Sequence, residues 1–407
     1  MSLLDKASLV QIPSGYKEDK LYSVVPDSGA GDFTFARSST GSRVGSDGLI
    51  ETGVAIDTPR LDYRASCPSL LLEPQRTNLN IRSNSNFIAN QGTISYNNTT
   101  SPEGITNAYR ATATGTSSSF VRSLNIAFTD PSAFSVFLKH GNNEWVQIIN
   151  AGNVNHYVNV NIENGDLGTF GSNTSNLLVE DYGNGWYRVS GKFSGWSGLS
   201  TLRVYMANSS SSNWASTTTT IGNYYYGYGF QVEANASFAT SYIPTSGSTT
   251  TRTEDVCNNA GTSATFNDSE GVLFAEIAAL ADDLSSRVIS LNDGSTSNRV
   301  IILYQTITNT IRVIVSSAGS IQFDSNTQNY DITNFNKIAL KYKENDFALW
   351  VNGTEVSTDI SGLTPIGLNN LEFNNANGTS NFYGKTKQLI YFNEALTDTE
   401  LTALTTI

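Results

Sequence analysis

Apolar side chains recur at every second position through residues 183–208, GNGWYRVSGKFSGWSGLSTLRVYMAN. Tyr187 and Val189 fall on one side of the chain, and Trp186, Arg188 and Ser190 on the other. After a Ser/Gly turn, Leu202, Val204 and Met206 share a face. This period is that of a pleated strand, and with glycine punctuation it marks antiparallel sheet with one face buried. The block KIALKYKENDFALWVNGTEV at 337–356 repeats it, with Ile338, Leu340 and Tyr342, a polar turn, then Phe347, Leu349 and Val351. Asn352-Gly353 reads as a type I′ turn into a third strand. The expectation is an all-β chain, an N-terminal attachment segment followed by two antiparallel β-sandwich (jelly-roll) domains.

With 407 residues there is room for two or three cores. Residues 81–252 are read as one sandwich. Phe134, Val136 and Leu138 align in it, as do Val158, Val160 and Ile162, and Tyr224, Tyr226, Tyr228 and Phe230 are placed in one register. Residues 253–407 are read as the other, with a hairpin over 298–304 and 310–316. It closes with a capping box, Thr397 with Glu400, and a staple, Leu396 with Leu401, so a short helix should start at Asp398 and dock through Leu401 and Leu404. Residues 1–80 stand apart. Pro59, Pro68 and Pro74 around Leu70, Leu71 and Leu72 disfavour a long helix and suggest a strap packed on a neighbouring domain or subunit. Left exposed, that strap would be an apolar liability, which favours burial by another chain or another domain.

Charge and motifs exclude more chemistry than they suggest. Net charge is −12 and no Lys/Arg run appears, so nucleic acid is a disfavoured partner. No apolar run is long enough to span a membrane, and the first residues lack the basic start and apolar core of a signal peptide. Cys67 and Cys257, placed in different modules, are read as separate thiols. His140 and His156 are the only histidines; the absence of HExxH, C-x-x-C and a His-rich cluster argues against zinc, and no G-x-S-x-G elbow is present. Glu233 and Glu276 are the best-placed acids of their modules, but the carboxylates are scattered and a glycosidase needs a facing pair. The chain is read as not an enzyme, with a polysaccharide-degrading activity as the rival. No cofactor is expected; ENGDLG at 163–168 and DDLSSR at 282–287 offer calcium-type oxygens without a full loop, so a structural calcium stays open. Sugars stack on aromatic rings and hydrogen-bond to amides. Trp145, Trp196, Trp214, Tyr225 and Trp350 are therefore the candidate ligand-binding residues, while Trp186 is assigned to a core.

Three stretches carry a family resemblance. DFTFARSSTGSRVGSDGLIE at 32–51, PRLDY at 59–63 and CPSLLLEPQRTNL at 67–79 resemble the leader of tailed-bacteriophage fibre and appendage proteins. GNGWYRVS at 183–190 and GFQVEANASFATSYIPTSGSTTTR at 229–252 resemble the carbohydrate-binding-like jelly rolls of the same proteins. EGVLFAEI at 270–277 and GKTKQLIYFNEALTDTELTAL at 384–404, with the 337–356 block, are similar to concanavalin A-like or laminin-G-like sandwiches. The resemblance implies a structural protein on the virion surface, made in a bacterial cytoplasm and assembled as a homotrimer with other capsid or tail proteins. It implies display for adhesion to a surface polysaccharide; a purely decorative role is the alternative.

Overall fold

The structure, a computed structural model, describes residues 3–64 and 67–407, almost all of it in or between antiparallel strands. The chain forms two compact units. One comprises Met1–Ser39, Ala55–Pro74 and Glu254–Ile407; the other comprises Thr40–Val54 and Gln75–Thr253. Among the described residues no helix is long and apolar enough to cross a membrane.

In the first unit an eight-stranded sheet runs Thr354–Asp359, Phe347–Val351, Asn336–Lys343, Glu270–Ala279, Gly384–Phe392, Ser69–Leu72, Arg60–Asp62, with Ala7–Gln11 also pairing with Gly384–Phe392. A five-stranded sheet, Ser320–Thr327 through Asn370–Glu372, faces the same apolar core, in which Leu273, Leu340 and Leu349 meet Ile289, Ile302 and Val313. The other side of the larger sheet is covered as well. Trp350, Phe274 and Ile390 pack there with Leu396 and Leu401 of the C-terminal segment. The helix Asp398–Thr405 has the full capping box, Thr397 N donating to Glu400 Oε2 at 2.9 Å, so the local signal at 397–401 is realised and its apolar side closes the sheet. Asn352 and Gly353 both have positive φ (49° and 83°), as a type I′ turn requires.

The apolar run of the leader is extended, as expected, and packs against the C-terminal strands. Leu9, Leu21, Phe33, Phe35, Leu61, Leu70 and Leu72 lie in the same core as the C-terminal strands. Ser69–Leu72 pairs with Gly384–Phe392, Leu70 opposite Thr386 and Leu72 opposite Gly384. The proline-flanked leucines form a sheet strand buried within one chain. Leu70, Leu71 and Leu72 are thus covered within the chain, the second of the two alternatives for that apolar run. A buried ionic knot fixes the arrangement. Asp255 accepts from Arg37 and Arg60, Arg60 also pairs with Glu73 at 2.6 Å, and Asp255 Oδ2 accepts from Glu73 N at 2.8 Å. Burial alone would lower the Arg60 guanidinium, but Asp255 and Glu73 reverse this and hold it above its ordinary value. Cys67 is exposed and Cys257 buried; both are free thiols and both belong to this unit, not to separate modules.

The second unit is a two-sheet sandwich. One sheet runs Ile88–Asn90, Phe120–Arg122, Leu202–Ala207, Trp145–Asn150, Tyr157–Asn161, Leu167–Phe170; the other includes Gly92–Thr100, Thr106–Ala113, Tyr224–Ala234, Ser132–His140, Trp186–Phe193 and Thr174–Asp181. Val146, Ile148, Val158, Val160, Val204 and Met206 of the first interleave with Phe134, Val136, Leu138, Val189, Phe230 and Val232 of the second. The turn 45–48, with Gly48 at φ 77°, joins the hairpin Gly41–Val44 and Ile50–Val54 of this unit.

The segment 229–252 has a concrete job. Glu233 accepts from Thr240 N and Thr240 Oγ1, both at 2.8 Å, and Gln231 Oε1 accepts from Ile243 N at 2.7 Å. Asn78 Nδ2 donates to Ile243 O at 2.8 Å, and Thr250–Arg252 pairs with Arg76–Asn78. Buried side chains thus satisfy the backbone of a loop that could not otherwise lie against the sheet.

Candidate binding face

The outward face of the six-stranded sheet follows from the register. Residues alternating with the core-facing set form three rows across the strands. Phe120, Tyr205, Gln147 and Asn159 are opposite one another in turn; so are Arg122, Arg203, Ile149 and Tyr157; and Ala207, Trp145 and Asn161 make the third. Strand pleating places each row on one side.

Buried amides mount a loop on this face. Gln147 Nε2 donates to Asn159 Oδ1 (3.0 Å), Ser212 O (2.9 Å) and Asn213 O (3.1 Å), and Gln147 Oε1 accepts from Ala215 N at 2.8 Å. Asn159 Nδ2 donates to Ser212 O at 2.8 Å and to Thr169 Oγ1 at 2.9 Å. At its other end the loop is tied by Ser118 N to Thr217 O and Thr219 N to Thr116 O. Trp214 is carried on this loop, half-buried, with its indole N–H inside and unpartnered. Trp145 is half-buried on the same face, its ring close against Gly168.

Beside the loop is an aromatic and cationic cluster. The Phe120 and Tyr205 rings are 4.6 Å apart, and the Arg203 guanidinium sits 4.9 Å from the Phe120 centroid. Arg203 Nε donates to Thr201 Oγ1 at 2.9 Å and Nη1 to Tyr205 Oη at 3.2 Å. The arrangement carries the half-buried rings of Phe120, Trp145 and Trp214 and the fixed donors of Arg203 on one surface, which suits a polar ligand with a flat apolar side.

Of the candidate aromatics, Trp145 and Trp214 are brought to this face and three are not. Tyr225 is fully buried in the sandwich core, its hydroxyl donating to Val204 O at 3.3 Å and its phenol pushed up by burial. The cause is a β-bulge. Gly229 has φ 67°, and pairing with Ser132–His140 slips by one residue there, so Phe230 faces the core with Tyr225 while Tyr224, Tyr226 and Tyr228 face away. The single register expected for these aromatics is therefore broken at Gly229. Trp350 is covered by the C-terminal segment and is 6% exposed. Trp196 packs over Gly152 and Gly198, near Phe128 and edge-on to His156. Trp186 is core, with its indole N–H donating to Thr100 O at 3.1 Å.

The remaining polar candidates have structural partners. Glu233 and Glu276 belong to different units; Glu233 is held by Thr240 and Arg76, and Glu276 by Lys387 at 3.5 Å. His156 donates from Nε2 to Ser194 O and accepts at Nδ1 from Asn150, the tautomer this network requires; burial lowers its pKa. In the 163–168 turn Asn161 Oδ1 accepts from Glu163 N, and Asn164 donates to Asp166. Asp283 pairs with Arg287, and Asp282 accepts from Asn309 N. Among the described residues no group of three or more His, Cys, Asp or Glu is gathered as a metal site.

Sequence reasoning passed over Phe120, Arg122, Gln147, Asn159, Arg203 and Tyr205. Their signal was parity, since each sits between core-facing neighbours, but only the strand pairing shows that they share a surface.

No protein-family model matches the chain, and no curated protein matches it. Solved structures offer distant likenesses. The CBM40 of Ruminococcus gnavus IT-sialidase, bound to α2,3-sialyllactose, shares 14% identity at TM-score 0.31, over 36% of this chain and 93% of that one. Domains LG4-5 of the mouse laminin α1 chain share 8% at 0.24, over 67% and 88%. Trypanosoma rangeli sialidase shares 10% at 0.28, over 73% and 60%. At that degree of likeness they assign neither a family nor a ligand to this chain.

Proposed function

We propose that this chain is a displayed adhesion protein of a virion appendage, binding a surface polysaccharide through the outward face of the six-stranded sheet. The observation that carries the reading is the fixing of the Trp214 loop by Gln147 and Asn159 on the face that also carries Trp145. Buried amides of this kind fix a loop's geometry, and a fixed ring is what a shallow saccharide site needs, because preorganisation limits the entropy lost on binding. The virion setting rests on the resemblance of the leader and of the 229–252 segment to phage appendage proteins. Attachment to capsid or tail and trimeric assembly belong to the same proposal and are tested by light scattering and by imaging of the assembled particle.

A decorative protein without ligand is the second reading, favoured by one fact: the loop already takes up the hydrogen-bonding groups of Gln147 and Asn159. A glycan array probed with the native full chain separates the two. The adhesion reading expects a restricted set of polysaccharides to be retained, and retention to fall about tenfold or more in Trp214→Ala, on the scale of losing a stacked ring at a site centre. Absence of retention across the array supports decoration instead.

A further inference from the structure

We infer that the binding face selects saccharides bearing an anionic group, a carboxylate or a sulfate ester, through the guanidinium pair Arg122 and Arg203; this rests on the glycan-binding reading above and narrows it.

The two arginines are direct partners on adjacent antiparallel strands, and both are half-buried on the outward face. Like charges opposite one another destabilise a sheet unless something compensates. No carboxylate among the described residues does so here. Among the described residues no carboxylate lies within ion-pair distance of either guanidinium, although the chain holds 36 acidic residues against 24 basic ones. The six strands of this sheet, IAN, FVR, LRVYMA, WVQIIN, YVNVN and LGTF, contain no Asp or Glu. The strands of this sheet carry no acid and place two cations in register, and among the described residues the one carboxylate that reaches the face, Glu144, is taken up by Asn161 at 2.8 Å in another row.

Arg203 is also held in place. Thr201 and Tyr205 take two of its N–H donors and Phe120 lies beneath its plane, so its other N–H groups remain available to an incoming acceptor. Arg122 makes one long contact, Nη1 to Ser123 O at 3.5 Å. A fork of fixed donors matches the two oxygens of a carboxylate or sulfate, with the Phe120 ring next to the pair and Tyr157 farther along the same row, beyond Ile149, as ring surface for the sugar body. A long polyanion such as nucleic acid would meet the net charge of −12 around this face; an anionic group on a sugar chain asks only for the local pair.

The test is isothermal titration of the full chain with three probes: a galacturonic acid trisaccharide, its methyl ester, and a sulfated galactan trisaccharide. One or both anionic probes should bind about tenfold tighter than the ester, as expected when charge-assisted hydrogen bonds replace neutral ones. That advantage should shrink between about 50 mM and about 500 mM salt. Arg203→Gln and Arg122→Gln should each remove most of this acid-over-ester advantage, while Arg203→Lys keeps only part. Arg110→Gln, the same charge loss on the opposite sheet, is the control and should change nothing. Equal affinity for acid and ester, or an equal effect of Arg110→Gln, overturns the selection and leaves glycan binding standing. No binding of any probe, with circular dichroism unchanged, counts against both.

Discussion

Replacing Asp255 by alanine tests whether the leader is part of the first unit's core. Asp255 is 0% exposed, as are the side chains of Arg37 and Arg60 that it serves, and it also accepts the Glu73 amide. Removing one partner of a buried ion pair costs about 3–5 kcal/mol, because the other charge is left without compensation. The Glu73 N–H would lose its acceptor, a further roughly 1–3 kcal/mol. These contributions overlap, since all four groups form one network. A net loss of about 4 kcal/mol is a large part of the 5–15 kcal/mol typical of a folded domain. At a urea slope near 3 kcal/mol/M this moves the midpoint down by about 1.3 M. Hydrogen exchange followed by mass spectrometry across a urea series resolves the units. Ser69–Leu72 and Gly384–Phe392 should lose protection together, because they are paired, while Trp145–Asn150 in the other unit keeps its own. Opening confined to residues 60–73, with Gly384–Phe392 unaffected, would refute the reasoning and restore a separable strap. So would a variant within about 0.5 kcal/mol of the parent, the range of an ordinary surface change.

Three further changes follow from the same geometry. Gln147→Leu removes the amide that meets Ser212, Asn213 and Ala215; with each orphaned group costing about 1–3 kcal/mol unless it reaches water, the loop should detach and become cleavable by protease between 208 and 217 while the sandwich stays folded. Gly229→Ala puts a Cβ at a φ of 67° and 2.9 Å from Phe137 Cδ2, so it should cost about 1–3 kcal/mol and lower the melting temperature of that unit; an unchanged melting curve would deny the bulge. The hydrogen bond from Lys6, with those from Thr397, lowers the Glu400 carboxyl from 4.5 to about 2. A depressed folded pKa contributes stability that is present above the unfolded value and lost as pH falls toward 2. Glu400→Gln should therefore be less stable than the parent at pH 7, with the gap closing over that window in urea titrations; a gap that is constant with pH would reject the assignment.

How far the residues alone could lead depended on the range of the interaction. Period-two alternation made both sandwiches legible, and the capping box at Thr397 specified its helix because all its partners lie within four residues. Tyr225 was misplaced because one inserted residue at Gly229 reverses every side chain beyond it, and a bulge leaves no trace in alternation when aromatics occupy both parities. Leu70, Leu71 and Leu72 read correctly as apolar and extended, but their partner is more than 300 residues away at Gly384–Phe392. The same limit hid the candidate face. Arg122 and Arg203 look like ordinary polar positions of separate strands, and only pairing makes them neighbours.

On the proposed function, the outward face beneath the Trp214 loop is where saccharide should bind, to the exclusion of other surfaces. Hydroxyl-radical footprinting of the full chain with and without a polysaccharide retained on the array tests it most directly. The account predicts protection at Trp145, Trp214, Phe120 and Tyr157, with Tyr224 and Tyr226 on the opposite sheet unchanged. Protection confined to Tyr224 and Tyr226, or to residues of the first unit, would contradict it.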